Sequence, residues 1–114
     1  MKLSLTVLQL SGILDTTRGN ELRREISGLM ANGTNIFLLD MKEIKLINST
    51  GLGALVSVMQ MVQKANSQLF LCSISDQVRM LFEMTKVDKL FKIFTDQEEF
   101  NRQVLVILNG DKKG

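Results

Sequence analysis

The sequence predicts an α/β fold: a mixed, mainly parallel four-stranded sheet with about four helices. Three observations carry this. Short apolar runs alternate with amphipathic helical stretches along the chain. The connections between them are short, and a helix placed between two strands returns the chain to the same end of the sheet, which is how parallel strands arise. The chain has 114 residues, 45% hydrophobic and 23% charged, which is enough for one packed core and too little for two domains.

Each element has its own signal. Leu3, Leu5, Val7 and Gln9 alternate with Ser4, Thr6, Leu8 and Leu10, then Ser11-Gly12 follows, so residues 3–10 read as a strand with both faces buried. Beyond Asp15-Thr16-Thr17, Leu22, Ile26, Leu29 and Met30 recur at helical spacing, opposite Glu21, Arg23, Arg24 and Glu25. Asn32-Gly33 supplies a left-handed stop. Ile36-Phe37-Leu38-Leu39 is a continuous apolar run of the buried-strand kind. Met41 to Ile47 reads as a linking segment, and Asn48-Ser49-Thr50-Gly51 starts a second helix near Ser49, carrying Leu52, Leu55, Val56, Met59 and Val62. Leu69–Cys72 is a third strand. Ser75-Asp76 opens a helix with Val78, Leu81, Phe82 and Met84, and Phe91–Phe94 is a fourth strand. Thr95 with Glu98 forms a capping box for a last helix carrying Phe100, Val104, Ile107 and Leu108.

Composition removes whole classes of function. The chain has no histidine, which excludes Ser-His-Asp and Cys-His nucleophilic systems, histidine bases and histidine-ligated metals. Its single cysteine, Cys72, has no internal disulfide partner and, in a buried strand, reads as a small hydrophobe. A net charge of +2 with no basic stripe does not indicate direct nucleic-acid binding. No segment approaches the roughly 18–20 apolar residues that span a bilayer, and Leu3–Leu14 lacks the pattern of a signal peptide. The expectation is a cytoplasmic protein without membrane insertion, cofactor, metal or enzymatic activity.

Motif-like character concentrates in Asn48-Ser49-Thr50-Gly51-Leu52-Gly53. A helix start gathers unbonded N–H groups and the positive end of the helix dipole, which suits a phosphate or a side-chain oxygen. Helix physics alone is satisfied if Ser49 or Thr50 simply caps the helix. Gly51-Leu52-Gly53 lacks the third glycine of a dinucleotide fingerprint, and the Gly-Lys-Ser/Thr of a P-loop occurs nowhere. A receiver-type acceptor aspartate needs clustered acids at strand ends, where only Asp40 stands.

The same window is close to the Asp-Ser-Ser/Thr-Gly-Leu-Gly signature of the bacterial anti-sigma factor antagonists built on the STAS domain. Gly12-Ile13-Leu14-Asp15 resembles that family's turn before the first helix, and Leu39-Asp40 to Ile47 resembles its strand and approach loop. Leu71 to Ser75 with Val78 and Leu81-Phe82, then Leu90 to Phe94, resemble its later elements. The resemblance covers residues 1–108 as one STAS domain and leaves 109–114 as a polar tail. It implies a partner switch: the unphosphorylated protein binds an anti-sigma factor that is also a serine kinase, and so frees a sigma factor. It further implies phosphorylation at Ser49, with Thr50 the lesser alternative, reversal by a serine phosphatase, and a partner face drawn from Asp15, Asn48, Ser49, Thr50, Gly51 and Leu52.

Two departures accompany the resemblance. Asn48 stands where the family has an acid, and the family's additional N-terminal strand has no counterpart ahead of residue 3, which leaves a sheet edge available for dimerisation or a partner strand. Asp15 is equally readable as an ordinary helix cap. On the second helix, Val58 and Met61 lie on a second apolar stripe that reads as core more readily than as partner surface. The alternative function is a STAS scaffold, or a subunit of a signalling or membrane lipid-transport complex, in which Ser49 is never phosphorylated.

Overall fold

The computed structural model describes residues 2–105. In chain order the elements are β1 (Leu5–Leu14), α1 (Thr16–Ala31), β2 (Ile36–Ile47), α2 (Ser49–Lys64), β3 (Gln68–Cys72), α3 (Asp76–Met84), a short 3₁₀ turn (Val87–Lys89), β4 (Lys92–Phe94) and α4 (Gln97–Phe100), which runs into a π-helical stretch (Asn101–Leu105). The four strands form one sheet in the order β1-β2-β3-β4, and every neighbouring pair is parallel. Ile107, Leu108 and the polar tail lie outside the described residues.

Both long strands outrun their sequence expectation. β2 continues through Met41–Ile47, the stretch read as a linker. Its buried side chains there, Met41, Ile44 and Ile47, are three residues apart, because two register shifts against β1 insert extra residues into the strand period. Charged Lys42, Glu43 and Lys45 take three of the four exposed positions, and Leu46 takes the fourth. β1 likewise does not stop at Ser11-Gly12. Gly12 takes φ +79° beside one of the irregularities, and pairing resumes at Ile13 and Leu14. The expectation that β1 is buried on both faces fails: it is the edge of the sheet, with Val7 40% and Ile13 51% exposed.

The core has two unequal parts. On one face Phe37, Leu39 and Leu71 pack with Ile26 of α1, Leu55, Val58 and Val62 of α2 and Phe82 of α3, so Val58 is core, as its stripe suggested. On the other, Ile36, Leu38, Cys72 and Phe94 are covered by Phe100. Phe70, Phe94 and Phe100 form an aromatic trio with centroids 5.4–5.8 Å apart. Asp40 ties α4 to this sheet, its buried carboxylate accepting from the Gln97 amide at 2.7 Å and from the Lys42 N–H at 3.0 Å. Asp40 is thus a structural acid.

Two smaller corrections follow the same physics. The last helix is capped by Asp96, whose carboxylate accepts from Glu99 N–H, while the Glu99 side chain accepts from Thr95 N–H. The reciprocal cap exists one residue later than the Thr95–Glu98 pairing. Met84, grouped with the apolar residues of α3, is 76% exposed. The helix ends there, at Thr85, and Lys86 turns into the left-handed region.

Candidate functional site

Parallel pairing builds the site. β1 and β2 run side by side to the register pair Leu14↔Ile47, and each strand passes into a helix one residue later. Two helix N-termini therefore start next to each other at the same end of the sheet. Asn48 N–H donates to the Leu14 carbonyl at 3.3 Å, tying one junction to the other. Gly51 packs directly on Leu14 and Asp15, where any Cβ would collide with the Leu14 carbonyl. A Cβ on Gly19 would collide with Ala54, so α1 and α2 remain in close contact one turn further in.

The two junctions have the same geometry. Asp15 caps α1, its carboxylate accepting from Arg18 N–H at 2.9 Å. Asn48 caps α2 in the same way, its side-chain oxygen accepting from Gly51 N–H at 2.7 Å and from the Thr50 hydroxyl at 2.9 Å. This overturns the expectation that Ser49 or Thr50 caps the second helix, because both are inside it and the cap is the residue before. Asn and Ser are nearly equal as caps, so adjacent candidates cannot be ranked by type.

The three polar residues consequently differ. Asn48 is committed to the backbone, and Thr50 is committed to Asn48. Ser49 is exposed at the first helical position, and its hydroxyl makes no hydrogen bond to any described residue. It stands at the positive end of a sixteen-residue helix with no acidic residue in its first turn. Gly51 and Leu52, grouped by sequence with the partner-facing residues, are buried and shape the loop from beneath. Asp15 is half-buried and Thr50 exposed.

Sequence reasoning missed an apolar pair beside this site. Ile13 and Leu46 face each other in register on β1 and β2, and both are more than half exposed. Their signal, two large apolar side chains just ahead of Asp15 and Asn48, was masked by the strand irregularities that reverse their facing. Cys72 is remote in the second core, and burial pushes its thiol above the ordinary value of 9.0, with the Asp40 and Asp96 carboxylates acting in the same direction. Among the described residues, no three His, Cys, Asp or Glu side chains converge as a metal site, and no helix is long and apolar enough to cross a membrane.

The model of the STAS domain matches residues 2–100. The chain belongs to the STAS domain family. A STAS relative, the anti-sigma-B factor antagonist of Staphylococcus aureus, is 24% identical over 86 residues, covering 75% of this chain and 80% of the relative. Among solved structures, the STAS fold here is similar to the anti-sigma factor antagonist SpoIIAA in its unphosphorylated form, with TM-score 0.70, 20% identity and 89% of each chain covered. The phosphorylated form of the Bacillus cell fate determinant SpoIIAA gives TM-score 0.65 at 19% identity, covering 89% and 92%. A sulfate transporter family protein from Wolinella succinogenes gives TM-score 0.73 at 17% identity, covering 86% and 82%. Proteins of both descriptions thus share this fold.

Proposed function

We propose that this STAS domain is an anti-sigma factor antagonist in a cytoplasmic partner-switching pathway. In its unphosphorylated form it binds an anti-sigma factor with serine-kinase activity and so releases a sigma factor. The kinase phosphorylates Ser49, and a serine phosphatase restores the binding form. The observation that carries this reading is the division of labour at α2: Asn48 does the capping, which leaves the Ser49 hydroxyl exposed and unengaged. The antagonist relatives support the same reading.

The mechanism is electrostatic. A phosphoryl group adds about −1.5 to −2 charges. At the first position of α2 it would meet N–H groups and a helix dipole that favour an anion, so the fold would tolerate it, and its effect would fall on the partner through charge and bulk. Binding of the serine kinase recovered from the source cells tests this by calorimetry. Ser49→Ala should bind as wild type does and resist phosphorylation. Ser49→Asp should bind at least about tenfold more weakly, as expected for a charge set against a docked surface. Equal affinity of wild type and Ser49→Asp would contradict charge-switched binding.

A second reading, a non-phosphorylated scaffold or a subunit of a signalling or membrane lipid-transport complex, draws on the likeness to a transporter family protein and on the neutral residue at position 48. It requires Ser49 to remain unmodified in the cell.

A further inference from the structure

Among the described residues the sheet has two open edges that differ in kind. β4 is three residues long and carries exposed Lys92, which are two ordinary protections against edge pairing. β1 is ten residues long and contains no charged residue and no proline. Its regular part, Leu5–Gln9, pairs without interruption to Ile36–Asp40 before the first irregularity. Ile36 N–H donates to the Ser4 carbonyl at 3.0 Å. Because backbone groups alternate sides along a strand, Ser4, Thr6 and Leu8 turn theirs to β2, and Leu5, Val7 and Gln9 turn theirs to the outside.

From this edge we infer that the protein self-associates by antiparallel pairing of β1 with β1 of a second copy, about a two-fold axis through Val7. In that register Val7 meets the second copy's Val7, and Leu5 meets its Gln9. The outward residues 5, 7 and 9 are then all in hydrogen-bonded pairs, and the two four-stranded sheets become one continuous sheet. The charge pattern selects a second copy as occupant. An isologous contact sets each strand against itself, so any charged residue near the axis would face its own kind. None lies on the strand, and Lys2, just outside it, falls opposite the second copy's Gly12 and away from another lysine. Val7, 40% exposed on a face that also carries half-buried Leu5, gains an apolar neighbour. The contact is short compared with a standard interface of about 1,600 Å², so the dimer is weak and exchanges with monomer. It leaves the Asp15–Ser49 end of the sheet open and does not rest on the functional reading above.

Sedimentation equilibrium of the purified chain, from micromolar concentration to about 1 mM, the weakest affinity worth following, tests the inference. The wild type should approach twice the 12.8 kDa chain mass as concentration rises. Val7→Lys places two like charges on the axis and should weaken association about tenfold or more. Ile13→Lys, on the same strand beyond the irregularities, should not. An equimolar mixture of Val7→Lys and Val7→Glu should associate again, which also shows that both variants are folded. A wild type that stays monomeric throughout overturns the proposal. So does a dimer indifferent to Val7→Lys, or a mixture that fails to recover.

Discussion

α1 and α2 begin at neighbouring junctions with almost the same grammar. Asp15-Thr16-Thr17 leads one and Asn48-Ser49-Thr50 the other, each with an extended cap residue whose side chain accepts a backbone N–H three residues on. Each puts a hydroxyl residue, Thr16 or Ser49, exposed at the first helical position. They differ in charge and in what surrounds the cap. The α1 start carries the Asp15 carboxylate, and an Arg18–Glu21 ion pair at 3.2 Å lies on its first turns. The α2 start is neutral, and its Thr50 hydroxyl is bound to the cap. Capping geometry is thus common property of helices and distinguishes nothing. An exposed, unengaged hydroxyl beside a neutral cap is the specific feature, because a dianion there faces the helix dipole with no acidic residue in the helix's own first turn.

The largest expected effect tests how closely the junctions are joined. Gly51→Ala should destabilise the fold by about 3 kcal/mol or more in urea denaturation, since the new methyl meets rigid Leu14 backbone. Gly53→Ala, two residues on with nothing within 4 Å, should be neutral or stabilising by up to about 1 kcal/mol. If the two substitutions cost the same, the contact between junctions is not what constrains the loop.

Next in size are the caps. Asn48→Ala and Asp15→Ala should each cost about 1 kcal/mol, whereas Ser49→Ala and Thr16→Ala should stay within about 0.5 kcal/mol of wild type. A loss at Ser49→Ala as large as at Asn48→Ala would make Ser49 a structural residue after all. Asn48→Asp then sharpens the charge difference. It should raise stability by about 0.3–1 kcal/mol at low ionic strength by placing an anion at the start of α2, and this gain should fade with salt.

The smallest effect separates the two hydroxyl positions. Ser49→Asp should be neutral or stabilising by a few tenths of a kcal/mol. Thr16→Asp, adjacent to the Asp15 carboxylate, should gain less. Melting temperatures at low salt read the difference, and equal shifts would mean that cap charge does not distinguish the helix starts.

Much of this was legible in the sequence because it depends on local pattern. The apolar runs placed every strand, helical spacing placed α1 and α2, and Asn32-Gly33 marked the end of α1, where Gly33 has φ +103°. The six-residue window around Ser49 falls at the start of α2, beside the start of α1. What escaped has nonlocal causes. β2 beyond Asp40 was hidden because irregularities against β1 replace a period of two by steps of three. β1 looked doubly buried because its composition does not reveal that it lies at an edge. The identity of the cap depended on backbone angles at Asn48 and on a bond from Thr50, which no ranking of residue types supplies. Ile13 and Leu46 were invisible as a surface pair for the same reason as the β2 extension.

We propose Ser49, and not the equivalently placed Thr16 or the bonded Thr50, as the phosphorylated residue of a switch. Phosphosite mapping by intact-mass and peptide mass spectrometry, on the native protein isolated from its source cells under several growth conditions, tests it most directly. The account predicts a single phosphoryl group on Ser49 whose occupancy changes with condition. An unmodified Ser49 under every condition, or a phosphoryl group on Thr16 or Thr50 instead, would contradict it.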